Sequence, residues 1–242
     1  MIEIKIDATE STNDYLKEMM RRLPVADGTL VSTDHQTKGK GQRGTVWHFE
    51  RDKSLAISIL KTFDSAQSIV PFQVQIRVSL AILSVLETLG VPNLMVKWPN
   101  DILSDGAKIA GILIENQYQG QLKSSVIGLG LNVNNAFLPN LPNATSLFLV
   151  TNKVREIYQI KSLLYGQILA SLSDLQANQL QNDVAQYESS LFRKDVSSRF
   201  MTLQGEVFEG KIRGVSDQGL LRIEDRTNQM RFFALKTIKF LD

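Results

Sequence analysis

The chain has 242 residues, 43% of them hydrophobic, and its 27 Lys and Arg residues nearly balance 25 Asp and Glu residues. A nucleic-acid-binding protein usually carries a concentrated stripe of basic residues, which this balanced composition does not indicate, so we expect no DNA partner. The absence of cysteine excludes disulfides, thiolate metal ligands and a cysteine nucleophile. The chain opens without an apolar signal core, and no run approaches the length of a membrane span, which predicts a cytoplasmic protein with no membrane partner.

The first predicted elements are a short strand at residues 3–6 and a helix after it. Ser11 can cap this helix by accepting a backbone hydrogen bond, and Asp14 stands three residues later, where a capping box usually has Glu. Capping alone explains Ser11 and Thr12, and ligand binding by the same hydroxyls is the alternative.

A glycine-rich stretch, DHQTKGKGQRGTVW at residues 34–47, interleaves three glycines with Lys38, Lys40 and Arg43. Glycine lets backbone N–H groups approach a ligand closely, and nearby cations strengthen an anion site. The spacing matches neither GxxxxGK[ST] nor GxGxxG. The residues alone leave open an anion-binding loop between two strands and a solvated basic turn.

The middle of the chain predicts a strand at SLAISIL and a helix that begins at Pro71 and stops at Gly90. The stretch LMVKWPNDIL then brings Lys97 to the end of a strand, before a Pro-Asn-Asp turn. Burying a lysine there is costly unless its charge meets an anion, and a lysine reaching solvent at a sheet edge is the alternative.

The segments KIAGILIE and LKSSVIGLGLNV predict a hairpin that turns near Gly120. Lys108 starts its first strand and Asn132 ends its second. Gly128 and Gly130 allow either tight packing or the approach of a ligand to the backbone.

An irregular loop is predicted at residues 133–147, and helical regions at 154–180 and 183–191. From residue 196 the pattern changes to short strands, VSSRFMTL, EVFEGKIRGVS, GLLRIED and MRFFALKTIKFL. Their spacing predicts a small all-β barrel. We therefore expect two domains, at residues 1–192 and 193–242.

Five motifs, taken in order, resemble the biotin–protein ligases: STN at 11–13, GKGQRGTVW at 39–47, KWPNDI at 97–102, KIAGILIE at 108–115 and GLGLNVN at 128–134. The resemblance covers nearly the whole chain. It implies an α+β fold in which a catalytic domain like that of class II aminoacyl-tRNA synthetases, with a mixed, largely antiparallel sheet, precedes an SH3-like β-barrel. It also implies the short monofunctional class, without a DNA-binding domain.

The activity that the resemblance implies has two steps. Biotin and ATP form biotinyl-5′-adenylate, and a lysine of a biotin carboxyl carrier domain, in acetyl-CoA carboxylase or a related carboxylase, then attacks it. Such chemistry needs alignment of two anions and stabilisation of charge at phosphorus rather than a protein nucleophile. Mg²⁺ is expected through the ATP phosphates, with no metal ligand assigned, and the family often forms homodimers.

The resemblance also assigns roles by position. Lys97 and Arg43 are the catalytic candidates. The expected biotin contacts are Ser11, Thr12, Gln36, Gly39, Lys40, Gly41, Lys97 and Gly111. The expected ATP or adenylate contacts are Gln42, Arg43, Trp47, Asn100, Lys108, Asn132 and Asn134.

Three departures from the family pattern matter. Lys40 replaces an arginine and keeps the charge without the bidentate fork, and Thr45 replaces a position that is often basic. Gln42 stands where well-studied members carry an arginine linked to adenylate retention. We expect Arg43 to replace it in part. Three alternatives remain open: a lipoate–protein ligase, which shares the fold and adenylate mechanism; a biotin- or nucleotide-binding regulator without catalysis; and a small nucleic-acid-binding module built on the basic loop and barrel.

Overall fold

The structure is a computed structural model that describes residues 2–64, 68–139 and 141–241, with the backbone but not the side chain of Arg43. The strands are β1 (Glu3–Ile6), β2 (Leu30–Thr33), β3 (Gly39–Lys40), β4 (Val46–Trp47), β5 (Ser54–Thr62), β6 (Leu94–Lys97), β7 (Asp101–Ser104), β8 (Ala107–Gln119), β9 (Gln121–Asn132), β10 (Ser197–Thr202), β11 (Val207–Val215), β12 (Leu221–Asp225), β13 (Met230–Phe233) and β14 (Ile238–Leu241). The helices are α1 (Thr12–Arg22), α2 (Pro71–Thr88), α3 (Leu147–Thr151), α4 (Ile157–Ser173) and α5 (Leu180–Ser189).

The larger sheet has seven strands in the order β1-β2-β5-β9-β8-β7-β6. Only β1 and β2 pair in parallel within it, and the other pairs are antiparallel. The predicted α+β fold with a mixed, largely antiparallel sheet is therefore confirmed. The predicted hairpin is β8 and β9, which turn at Gly120 with a φ of +73°.

Local sequence signals fix the helix ends. Ser11 caps α1 by accepting a hydrogen bond from the Asp14 backbone N–H at 3.4 Å. Pro71 occupies the first turn of α2, and Gly90 follows the helix in a left-handed conformation with a φ of +78°. The helix predicted at residues 154–180 is shorter than expected, because α4 ends at Ser173 and a separate 3-10 turn precedes α5.

The two faces of the larger sheet are covered differently. Helices α2 and α4 pack on one face and bury the main core. Helix α1 covers part of the other face through a small cluster, Leu16, Val31, Leu60 and Val126. Because side chains alternate along a strand, the positions in β5 and β9 that share parity with Leu60 and Val126 face the same side as α1. Those beyond the reach of α1 form the floor of the site described below.

The C-terminal strands form a five-stranded antiparallel sheet in the order β13-β12-β11-β10-β14. The pairings of the described residues do not join β13 to β14, so closure of the predicted barrel is not shown. The segment expected as one last strand, MRFFALKTIKFL, is two strands separated by a turn. The Thr237 N–H closes this turn on the Ala234 carbonyl at 3.1 Å, and Lys236 takes a left-handed φ of +61°. No glycine or proline marks the turn in the sequence.

Within the part of the chain that the structure describes, no helix is long and apolar enough to cross a membrane.

A buried ion pair joins α4 to the edge strand β1. The Lys161 side chain is only 7% exposed and its ammonium contacts the Glu3 carboxylate, which also accepts from the Ser32 hydroxyl at 2.7 Å. Burial acts to raise the pKa of Glu3, but the Lys161 and Ser32 hydrogen bonds outweigh it, and the net pKa lies below its ordinary value. The pair therefore stabilises the folded state when Glu3 is ionised.

We expect Glu3→Gln to lower the free energy of unfolding at pH 7 by about 3 kcal/mol, because it leaves the Lys161 charge buried without its partner. The stability that Glu3 contributes is present above its unfolded pKa of about 4.3 and is lost as pH falls through the lower folded pKa. The difference between variant and wild type should therefore shrink in acid. Urea unfolding from pH 7 to pH 3 measures it, with Glu18→Gln, which removes two exposed ion pairs on α1, as the control. An equal difference at every pH would contradict the prediction.

Candidate functional site

A cavity of about 550 Å³ opens on the α1 face of the larger sheet. It lies between the start of α1, the glycine-rich loop, the turn after β6 and the turn between β13 and β14. Both sheets therefore contribute to its wall.

The floor of the cavity is built from small residues on three adjacent strands. Ala56 of β5 pairs with Gly130 of β9, which pairs with Gly111 of β8, and Gly128 follows along β9. The indole of Trp47 lies directly on this floor: a Cβ added at Gly130 would stand 2.3 Å from its Cε2. Any side chain there would close the space, so glycine is required by the close approach.

One end of the cavity is polar but uncharged. The Thr12 backbone N–H donates to Gln36 Oε1 at 3.0 Å, which fixes the orientation of that amide. The Thr12 hydroxyl lies 2.8 Å from the hydroxyl of Ser58, a fully buried residue of β5. Asn13 completes this end, with its Oδ1 at 2.5 Å from Ser58 Oγ. These groups offer hydrogen bonds to an uncharged ligand.

The other end is cationic. Lys108 Nζ lies 2.7 Å from Asp101 Oδ1 and 5.6 Å from the Trp47 ring centroid. Lys97 Nζ lies 5.4 Å from the centroid of Phe240, which belongs to the C-terminal sheet. Asp101 pairs with Gly111 of the floor, and Gly111 pairs with Gly130, two residues along β9 from Gly128 at the uncharged end. Two residues of strand span about 7 Å, so the two ends are separated by about this distance along the strand direction.

The glycine-rich loop contains a small hairpin, which neither sequence interpretation specified. Strands β3 and β4 pair in it, and a 3-10 turn spans Gln42–Gly44. Its lysines are paired with the start of α1: Lys40 with Asp14 at 2.6 Å, and Lys38 with Glu10 at 2.6 Å. Burial acts to raise the pKa of Asp14, but Lys40 and Lys17 outweigh it and the net pKa is lowered.

Most of the side chains predicted for the site line this cavity. They are Ser11, Thr12, Gln36, Lys40, Gly41, Gln42, Trp47, Lys97, Asn100, Lys108 and Gly111. Gly39 stands just behind the wall, where an added Cβ would meet Gln36 Nε2 at 2.7 Å. The predicted role of the Arg43 side chain lies outside what the structure describes.

Asn132 and Asn134 are not brought into the cavity lining. The Asn132 amide donates to the Thr145 carbonyl at 2.9 Å, and the Asn134 amide donates to the Arg155 carbonyl at 2.8 Å. Both amides therefore anchor the segments that follow β9, and their expected contact with the nucleotide stays a prediction.

Several cavity residues were not assigned roles from the sequence. Asn13 belongs to the STN motif and could have been included on that ground. Ser58 lies behind the cavity wall, within hydrogen-bond distance of Thr12, and a serine between Ile57 and Ile59 is the signal that could have identified it. Lys236 and Phe240 reach the cavity from the second sheet, and no local pattern predicts such a contact.

Among the described residues, no group of three His, Cys, Asp or Glu side chains could hold a metal ion by itself. Asp101 supplies the carboxylate of the cavity lining. Mg²⁺ is commonly held by one or two carboxylates together with substrate phosphates, and this donor set fits that mode.

Chemically, the cavity can hold a ligand with an uncharged hydrogen-bonding group at one end and an anion at the other. The cationic end can stabilise charge that develops on a carboxylate or phosphate.

Comparisons with known proteins agree with this chemistry. The model of the biotin/lipoate A/B protein ligase family matches residues 6–132. The bifunctional ligase/repressor BirA of Bacillus subtilis is 31% identical over 90% of this chain and 68% of its own length. The biotin–[acetyl-CoA-carboxylase] ligase of Mycobacterium tuberculosis is 30% identical over 89% of this chain and 80% of its own length.

A solved structure shares the fold. The biotin protein ligase from Aquifex aeolicus, in complex with biotin and ATP, superposes with a TM-score of 0.82 at 23% identity, covering 99% of this chain and 98% of the other. The family match spans the α1 start, the glycine-rich loop and the β8–β9 floor, whereas the cavity residues of the second sheet lie outside it. The chain belongs to the biotin/lipoate A/B protein ligase family.

Proposed function

We propose that this chain catalyses ATP-dependent biotinylation of an acceptor lysine on biotin carboxyl carrier proteins, through a biotinyl-5′-adenylate intermediate. The observation that carries the proposal is the division of one cavity into an uncharged end and a cationic end. The ureido ring of biotin is uncharged and rich in hydrogen-bonding groups, and its valerate ends in a carboxylate. The relative named as a biotin–[acetyl-CoA-carboxylase] ligase supports the same assignment.

The biotin ring occupies the uncharged end in this proposal. Ser11, Thr12 and Gln36 hydrogen-bond it, and the floor at Gly111 lets it lie against the backbone. Gly39, Lys40 and Gly41 bring the glycine-rich loop over it. A site with fixed polar groups at one end orients the ligand and so delivers its carboxylate to the other end.

At the cationic end, Lys97 and Arg43 stabilise the charge on the carboxylate and the α-phosphate as they react. The remaining nucleotide contacts are assigned to Gln42, Trp47, Asn100, Lys108, Asn132 and Asn134. Asp101 and the ATP phosphates would hold Mg²⁺, which would supply further charge neutralisation. The acceptor lysine amine then attacks the mixed anhydride and releases AMP.

The proposal includes the domain division, with residues 1–192 as the catalytic domain and 193–242 as the C-terminal domain. It extends to self-association, since β1 is an edge strand whose unpaired backbone groups can pair with a second copy. Sedimentation with and without biotin and ATP tests this.

The first prediction is that Lys97→Ala lowers biotin-dependent exchange of pyrophosphate into ATP by about 100-fold or more, the usual effect of removing one group that stabilises developing charge. Lys123→Ala, which removes an exposed lysine of β9, is the matched control and should exchange as the wild type does. Exchange driven by lipoate and not by biotin would overturn the substrate assignment.

The second prediction concerns the floor. Gly130→Ala should weaken biotin binding by about 10-fold or more, because its methyl group would displace the Trp47 indole and fill the space on the sheet. Isothermal titration without ATP measures this. Gly166→Ala adds a methyl in α4 where no atom lies within 4 Å and should bind as the wild type does. Unchanged affinity in Gly130→Ala would contradict a ligand lying on this floor.

The third prediction addresses the departure at Gln42. Arg43→Ala should release biotinyl-5′-adenylate about 10-fold faster, the loss expected for one hydrogen bond to a charged group. Gln42→Arg should slow the release. Dissociation of labelled adenylate from the enzyme, chased with unlabelled adenylate, gives both rates. Normal retention in Arg43→Ala would show that Arg43 does not replace the missing arginine.

A further inference from the structure

A chain of hydrogen bonds runs from the cavity wall, along the α1 face of the sheet, to a partly exposed carboxylate on β8. It passes from Thr12 through Ser58 and Asn13 to Glu115. Ser58 is fully buried, and Thr12 and Asn13 are each 3% exposed. Because these three side chains are buried, most of their hydrogen bonds must be made with other groups of the protein.

The direction of this chain is fixed at its far end. Asn13 Nδ2 lies 2.8 Å from a Glu115 carboxylate oxygen and 3.2 Å from the Leu113 carbonyl oxygen. Both partners can only accept, so the NH₂ group of Asn13 must point to them. Lys17 holds the carboxylate in place from the other side at 2.6 Å.

The orientation of Asn13 then fixes the Ser58 proton. With its NH₂ group committed, Asn13 turns Oδ1 towards Ser58 Oγ, at 2.5 Å. An amide oxygen can only accept, so the single hydroxyl proton of Ser58 is donated to it. Ser58 therefore has no proton left for Thr12.

Counting hydroxyl protons in the same way determines what Thr12 presents to the cavity. Thr12 Oγ1 and Ser58 Oγ lie 2.8 Å apart, a distance at which one of them must donate. Since Ser58 cannot, the Thr12 hydroxyl donates its only proton to Ser58. Its other neighbour, Gln36 Oε1, is farther away at 3.4 Å. What Thr12 presents to the cavity is a lone pair.

We infer that Ser58, Asn13 and Glu115 are positioning residues that lock the Thr12 hydroxyl as a hydrogen-bond acceptor, so that the cavity selects a ligand N–H group at this point. The inference rests on the proposed function, in which a ureido N–H of biotin is the donor. An oxygen or a methylated nitrogen at the same place would leave the buried lone pair unpaired or in contact with another lone pair.

The test compares biotin with two analogues, each with one of the two ureido N–H groups replaced by a ring oxygen. Binding is measured by isothermal titration without ATP, so no catalytic step is required. The wild type should prefer biotin over one of the analogues by about 10- to 100-fold, the range expected when a buried acceptor loses its donor.

Two variants release the lock by different routes. Ser58→Ala removes the acceptor for the Thr12 proton, which can then turn to the cavity and donate to a ring oxygen. Asn13→Ala frees the Ser58 proton to be donated to Thr12, with the same consequence. In both, the preference for biotin over that analogue should fall by about 10-fold, whatever happens to the absolute affinities.

The controls distinguish a change in the donor–acceptor arrangement at Thr12 from a general effect of a substitution on the structure. Ser125→Ala removes another fully buried serine, which lies on β9 and donates to Asn116 of β8 at 2.7 Å, away from the cavity. It should leave the preference unchanged. Ser58→Thr keeps the hydroxyl and should keep the preference even if its added methyl group weakens both ligands. If one of the two releasing variants does not fold, the other still gives the ratio.

The outcomes are distinct. A wild type that does not bind biotin overturns the proposed function, and this inference with it. A wild type that binds biotin, with variants that weaken both ligands by the same factor, overturns the lock alone and leaves Ser58 and Asn13 with a packing role. A lower preference in Ser58→Ala and Asn13→Ala, kept in Ser58→Thr, supports the lock.

Discussion

The site depends on the pairing of β5, β9 and β8 at positions that carry almost no side chain. Ala56, Gly130 and Gly111 lie side by side across three strands. On the same face of the sheet, Leu60 and Val126 meet α1 and form a dry cluster. The change from large to small residues along the strands therefore determines where the helix ends and the cavity begins. The opposite face carries a continuous core, so the sheet stays rigid beneath an open site.

The cavity separates two kinds of polar group, and the separation has an energetic reason. Buried groups at the uncharged end, such as Ser58 and Asn13, are satisfied by one another in a closed network, so they can be desolvated at little cost. Lysines cannot be buried in this way without a counter-charge. Lys108 is held by Asp101, and Lys97 stands over the Phe240 ring, so both ammonium groups are positioned to meet an anion. A ligand with a neutral head and an anionic tail therefore fits in one direction.

The elements that carry local signals could be predicted from the sequence, and the contacts that lack such signals could not. Ser11, Pro71 and Gly120 act through backbone hydrogen bonds or φ angles within a few residues, so a capped helix, a helix start and a hairpin turn could be read directly. The turn at residues 234–237 has no such signal, and neither does the contact of Phe240 with Lys97. The expected contact of Asn132 with the nucleotide came from the family resemblance and stays a prediction. Its amide pairs with the Thr145 carbonyl, a partner 13 residues away that no periodicity reveals.

The lack of a local signal also explains why the sequence alone could not decide between the two interpretations of the glycine-rich loop. Its lysines are solvated, as the plain interpretation required, yet they are also paired to Glu10 and Asp14 at the start of α1. Exposed ion pairs of this kind contribute roughly 0–1 kcal/mol each. They hold the loop next to α1 while costing little to exchange for contacts with an anion. A loop fixed by buried contacts would resist that exchange, and a loop with no contacts would pay the full entropy of ordering when the ligand binds. Weak charge pairs at the rim of a rigid floor therefore give the loop a defined position that a ligand can still change.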